Sequence, residues 1–166
     1  MVFRPPLLAR LRSLAPNASL RTVASKPRDL ERALEQGDVD LAIGYFPDLH
    51  GKSFMQQRLF SHHFSCLLSA SHPVLRRGLT REAFLELEHA VVYPEGRSQE
   101  IFERFLARHR VSRKVVLVTL HFMSLPMIIA RSHLIATVPH AIGAFFTRWS
   151  DGIRAMPPPF KILPIG

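Results

Sequence analysis

A chain of 166 residues with 47% hydrophobic and 21% charged side chains suits one domain or two small lobes around a buried core, which excludes disordered, collagenous and coiled-coil classes. Its one cysteine, Cys66, excludes a disulfide framework and a cysteine-based zinc site and fits a reducing cytoplasm. A balance of 22 Lys and Arg against 13 Asp and Glu gives +9 and suits an anionic partner, but the basic residues are dispersed, so a solvated basic surface is the simplest account.

The first periodic segment follows Pro5 and Pro6, with Leu7, Leu8, Leu11 and Leu14 on one helical face. Arg4, Arg10 and Arg12 interrupt it, so it reads neither as a secretory leader nor as a span of about 20 apolar residues. Pro16 and Asn17 stop it. Residues 20–24 are β-prone. Ser25 then opens a helix with Pro27 in its first turn, Leu30, Ala33 and Leu34 inward, and Gly37 as its stop. Residues 40–44 (DLAIG) read as an apolar strand, completing a βαβ unit whose strands would be parallel. Residues 55–60 and 64–69 read as a hairpin with His62 and His63 near its turn, and Phe64, Cys66 and Leu68 share one face. A lobe boundary is expected close to Ser71.

Beyond it, Thr80 caps a helix carrying Ala83, Phe84 and Leu87. A strand at 90–93, a turn at 94–96 and a helix capped by Ser98 follow, the helix carrying Ile101, Phe102, Phe105 and Leu106 as its stripe. Residues 114–119 form a valine-rich strand. Ser124 and Pro126 open a helix through Ile129, 134–138 is a buried strand, and Pro139 starts a helix to Trp149. An extended stretch at 157–159 leads to a last strand at 161–165. Strands separated by helices in this way indicate an α/β architecture with mostly parallel sheets flanked by helices.

No enzyme signature is present: no G-x-S-x-G elbow, P-loop, G-x-G-x-x-G or H-E-x-x-H. Cys66 reads as a small buried hydrophobe. His62 and His63, adjacent in a strand, would face opposite sides, which argues against a metal site. No metal or cofactor is expected. In open parallel sheets ligands bind beyond the carboxyl ends of strands, where helix N-termini present free N–H groups. Tyr45 and Phe46 occupy such a position after Gly44, Ser98 after Tyr93, and His121, Phe122 and Ser124 after Thr119. N–H groups at Ser98 and Ser124 suit a carboxylate, His121 adds a switchable donor and Phe122 an apolar wall. Taken singly, each is equally at home as a core aromatic or an ordinary cap.

Four segments in order, PPLLARLRSLAPNASLRTV at 5–23, LERALEQGDVDLAIG at 30–44, QRLFSHHFSCLLSASHP at 57–73 and HLIATVP at 133–139, resemble the effector-binding domain of LysR-type transcriptional regulators. That family has the two-lobed fold of type 2 periplasmic binding proteins. The resemblance implies a first lobe at 1–70, to which 160–166 return, and a second at 71–159. It also implies a cleft in which Tyr45, Phe46, Ser98, His121, Phe122 and Ser124 hold a small-molecule effector. The domain's first strand and the family's winged helix-turn-helix have no counterpart in these segments, so DNA contact is expected only through that missing head. Side-by-side pairing of the family through its first helix, here Leu7 to Leu14, implies a homodimer or tetramer. One departure is Ala130, Arg131, Ser132 and His133, where the family has small residues. The segment around Pro47 and the stretch HFMSLP at 121–126 are similar to members that sense aromatic compounds; with helix N-termini and an overall positive potential favouring negative charge, the expected ligand is an aromatic carboxylate. The expected setting is cytoplasmic, with no membrane contact. A periplasmic-type solute-binding protein of the same fold is the alternative. An enzyme resembling prephenate dehydratase or a deaminase would lack a placed acid/base set.

Overall fold

The computed structural model describes residues 4–23, 27–44, 46, 49, 54–59, 61, 63–93 and 97–161, and the chain divides into two units, Met1–Leu59 and Phe60–Gly166. In the first unit the two expected helices form, α1 (Arg4–Leu14) and α2 (Pro27–Glu35). α2 buries Leu30 and stops where Gly37 takes φ +76° and the Val39 N–H reaches back to the Ala33 carbonyl at 3.1 Å. The strands expected at 20–24 and 40–44 are absent among the described residues, and with them the βαβ unit. Leu41 is 68% exposed. Extended backbone becomes a strand only when a neighbour takes up its N–H and C=O groups, and neither segment has one among the described residues.

The second unit contains β1 (Phe64–Ser69), α3 (Val74–Arg77), α4 (Arg81–Glu86), β2 (Glu88–Val92), α5 (Arg97–Arg108), β3 (Lys114–Thr119), a 3-10 turn (Phe122–Ser124), α6 (Leu125–Ala130), β4 (Ala136–Pro139), α7 (His140–Trp149) and β5 (Ile153–Met156). β1 runs antiparallel between β4 and β5, with Leu67 opposite Ala136 on one side and Ala155 on the other. Both of its edges are therefore taken. No place remains for the hairpin partner expected at 55–60, whose described residues 55–59 are irregular and exposed. Residue 60 lies outside the described residues. β1 thus lies in the second unit together with both strands that satisfy its backbone.

β2 pairs with β3 in parallel, Glu88 opposite Lys114 and Val92 opposite Thr119. A parallel bridge from His89 to Ile135 joins this pair to the start of β4. The α/β class holds, while the expected mostly parallel sheet is mixed. Helical crossovers keep β2 and β3, and also β4 and β5, pointing the same way, whereas β1 enters directly and opposes both neighbours. The last expected strand falls on 162–165, outside the described residues.

Alternation along β1 separates two helical layers. On the face of Leu67, the core joins Val92, Leu125, Ile129, Val138, Phe146 and Ile153, with α6 and α7 above them. On the opposite face the Phe64 ring meets Phe102 of α5 at 5.0 Å. All six residues of β1 are buried, so its serines must find partners. The Ser65 hydroxyl bonds His140 Nδ1 at 2.8 Å, and Ser69 donates to the Ala130 carbonyl at 3.3 Å. Thr80 caps α4 as expected, its hydroxyl accepting from the Ala83 N–H at 3.2 Å.

Candidate functional site

The carboxyl ends of β2 and β3 lie side by side, tied by the Tyr93 N–H to the Thr119 carbonyl at 2.7 Å. Residues following these strands therefore emerge at one end of the sheet. After β3 the chain turns at His121 into the 3-10 turn and α6. Three side-chain bonds hold this turn. Thr119 and Ser124 hydroxyls lie 2.9 Å apart, Ser124 donates to the His121 carbonyl at 2.8 Å, and the His121 N–H approaches the Thr119 hydroxyl at 3.5 Å.

The expected role of Ser124 changes accordingly. It stands at the N-cap of α6, but its side chain makes no capping bond, because the hydroxyl is committed to Thr119 and His121. The peptide N–H groups of Phe122 and Met123, which open the 3-10 turn, have no helical acceptor ahead of them. Phe122 is half-buried and packs against the Leu67 core. His121 is exposed. The turn thus has a fixed base, an apolar wall and an accessible imidazole. Thr119 is the residue missed among the sequence candidates, and its signal was a hydroxyl at the last position of a strand facing a serine in the next turn.

Ser98 lies second in α5, one residue inside the helix and not at its cap. Its backbone is in the first turn, following β2 as His121 follows β3. Phe46 belongs to the first unit. It is half-buried, and its ring folds over Gly44, where a Cβ would lie 2.6 Å from the ring Cζ. Only glycine permits that approach. Tyr45 lies outside the described residues. The structure thus brings together His121, Phe122 and Ser124 and sets Ser98 at the same end of the sheet.

Cys66 is fully buried beside the Thr137 hydroxyl at 3.5 Å, and burial pushes its thiol up to about 12, which suppresses the nucleophilic thiolate. Among the described residues no group of three or more His, Cys, Asp and Glu could hold a metal ion. His62 lies outside them. No helix there is long and apolar enough to cross a membrane.

A family model for the LysR substrate binding domain matches residues 2–162. The HTH-type transcriptional activator NagR of a Ralstonia species is 33% identical over 162 residues, covering 98% of this chain and 53% of that protein. The HTH-type transcriptional activator NahR of Pseudomonas putida is 36% identical over 137 residues, covering 82% and 45%. The chain thus spans about half the length of these relatives. The regulatory domain of MexT, a transcriptional activator in Pseudomonas aeruginosa, superposes with a TM-score of 0.78 at 27% identity, covering 97% of this chain and 78% of that one. These relatives are transcriptional activators and not enzymes. By its fold and by a match over nearly its whole length, the chain belongs to the LysR substrate binding domain family.

Proposed function

We propose that this effector-binding domain senses a small aromatic carboxylate and that the turn at 119–124 forms part of its pocket. The hydrogen-bonded turn at the carboxyl end of β3 carries this reading. Phe122 supplies an apolar wall, His121 an accessible donor, and the Phe122 and Met123 N–H groups a positive pole for a carboxylate. Ser98 at the start of α5 contributes from the neighbouring strand's end. The likeness of 121–126 to members that sense aromatic compounds supports the aromatic half of the ligand. Ligand binding would signal by holding one lobe arrangement more tightly than another.

In the full-length regulator the remaining half would carry a DNA-binding head, working in the cytoplasm as a homodimer or tetramer. Leu7, Leu8 and Leu14 of α1 are exposed and offer an apolar stripe for such pairing. The test is calorimetry of the full-length regulator with benzoate. His121→Ala should weaken binding by about 1–3 kcal/mol if its hydrogen bond is buried on binding. Unchanged affinity in that variant, or binding of sugars alone, would refute the assignment.

A further inference from the structure

The amino end of β3 carries a different chemistry from its carboxyl end. α5 stops at Arg108, and the chain reverses through Arg110 at φ +51°. The Val111 N–H donates to the Leu106 carbonyl at 2.9 Å and the Arg110 N–H to the Ala107 carbonyl at 3.2 Å, while Val111 and Leu106 are both buried. This left-handed helix stop favours glycine. Here it carries an arginine, which lines a concave pocket of about 460 Å³. Arg113 and Lys114 from the start of β3 and Arg81 from the start of α4 line the same pocket, with Leu85 and Val111 as its apolar part. Two stretches of chain, the start of α4 and the segment 110–114 that joins α5 to β3, thereby bring four cations to one open pocket.

Carboxylates compensate two of the four. Nη2 of Arg113 donates to both Glu103 oxygens at 2.7 and 2.6 Å, and Lys114 Nζ lies 2.7 Å from Glu88. Arg81 rests its guanidinium over the Phe160 ring at 5.9 Å. Neither Arg81 nor Arg110 forms an ion pair among the described residues. The Arg113 side chain is 7% exposed, stacks on Phe102 at 5.4 Å, and keeps Nη1 buried without a hydrogen-bond acceptor. Two exposed guanidinium groups, one of them with the Glu82 carboxylate beside it, and a buried, incompletely bonded one give this open pocket a positive lining. A singly charged anion gains little there over water, whereas one with two or more charges can span Arg81 and Arg110.

We propose that this pocket is a second binding site, separate from the effector turn, for a small polyanion bearing phosphate or several carboxylate groups. The purified chain is titrated with inorganic pyrophosphate and, separately, with citrate by calorimetry at low ionic strength. Saturable one-to-one binding of either anion, weakened by added salt, is expected, and the preferred one tells phosphate from carboxylate chemistry. Arg81→Gln combined with Arg110→Gly, the latter suited to the left-handed turn, should weaken binding at least about tenfold without lowering the urea midpoint. The pair Arg131→Gln and Arg148→Gln removes the same charge from exposed positions outside the pocket and should leave binding intact. Equal weakening by both pairs, no saturable binding of either anion, or binding of duplex DNA alone would overturn the proposal.

Discussion

His89 should make the stability of the second unit depend on pH. It lies in β2 with no exposed surface, its ring edge-on to Phe84 at 4.6 Å. Nε2 faces the Phe84 carbonyl at 2.8 Å. A carbonyl can only accept, so Nε2 carries the hydrogen, and buried Nδ1 has no partner. Burial above all, and then the charge of Arg113, lowers its pKa from 6.5 to about 4, against the opposing pull of the Phe84 carbonyl and Glu103. The unfolded chain takes up this proton near 6.5 and the folded chain only near 4, so between those values the unfolded state binds more protons and stability falls as pH falls. From about pH 7 to about pH 5 the loss should be about 2 kcal/mol, approaching about 3 kcal/mol below the folded value. Urea denaturation at the two pH values measures it. His89→Leu forfeits the bond to Phe84 and should be less stable near neutrality by about 1–3 kcal/mol, but its stability should drop by about 2 kcal/mol less over the same interval. An equal drop in both proteins would place the pH dependence in the other histidines and refute the reasoning.

Thr80→Ala removes the cap of α4 and should cost about 1 kcal/mol, seen as a melting temperature lower by roughly 2–4 °C; no shift would mean that the cap contributes nothing. Glu103→Gln strips the carboxylate from the nearly buried Arg113 and should destabilise by about 2–3 kcal/mol, whereas Glu103→Gln with Arg113→Met should recover most of that in urea denaturation. Cys66, its thiol pushed up to about 12 by burial, should resist a thiol reagent in the native protein and react fully once the chain unfolds. Rapid stoichiometric labelling of the native protein would contradict that burial.

The turn at 119–124 was legible because strand, polar turn and helix follow one another directly at 114–130, and topology alone sends residues after a parallel strand to its carboxyl end. What Ser124 does there was not legible. Serine before a helix reads as a cap, and only the position of Thr119 across the turn shows its hydroxyl committed elsewhere. The basic pocket was invisible for a related reason. Arg81 is remote in sequence from Arg110, Arg113 and Lys114, so dispersed charge along the chain gave no sign of a cluster.

Local periodicity determined the helices α1, α2, α5 and α7 and the strands β1 and β3, because each has a hydrophobic pattern or a stop signal of its own within a few residues. The resemblance of four ordered segments determined the family. Tertiary structure decided which β-prone stretches became strands. The described parts of 20–24, 40–44 and 55–60 stay irregular without a ladder partner, while Ile153–Met156, with one buried side chain and little pattern, becomes β5 because β1 offers it an edge. It also decided the direction of β1. Strand pairing is a property of two segments at once, and no single stretch of sequence contains its partner.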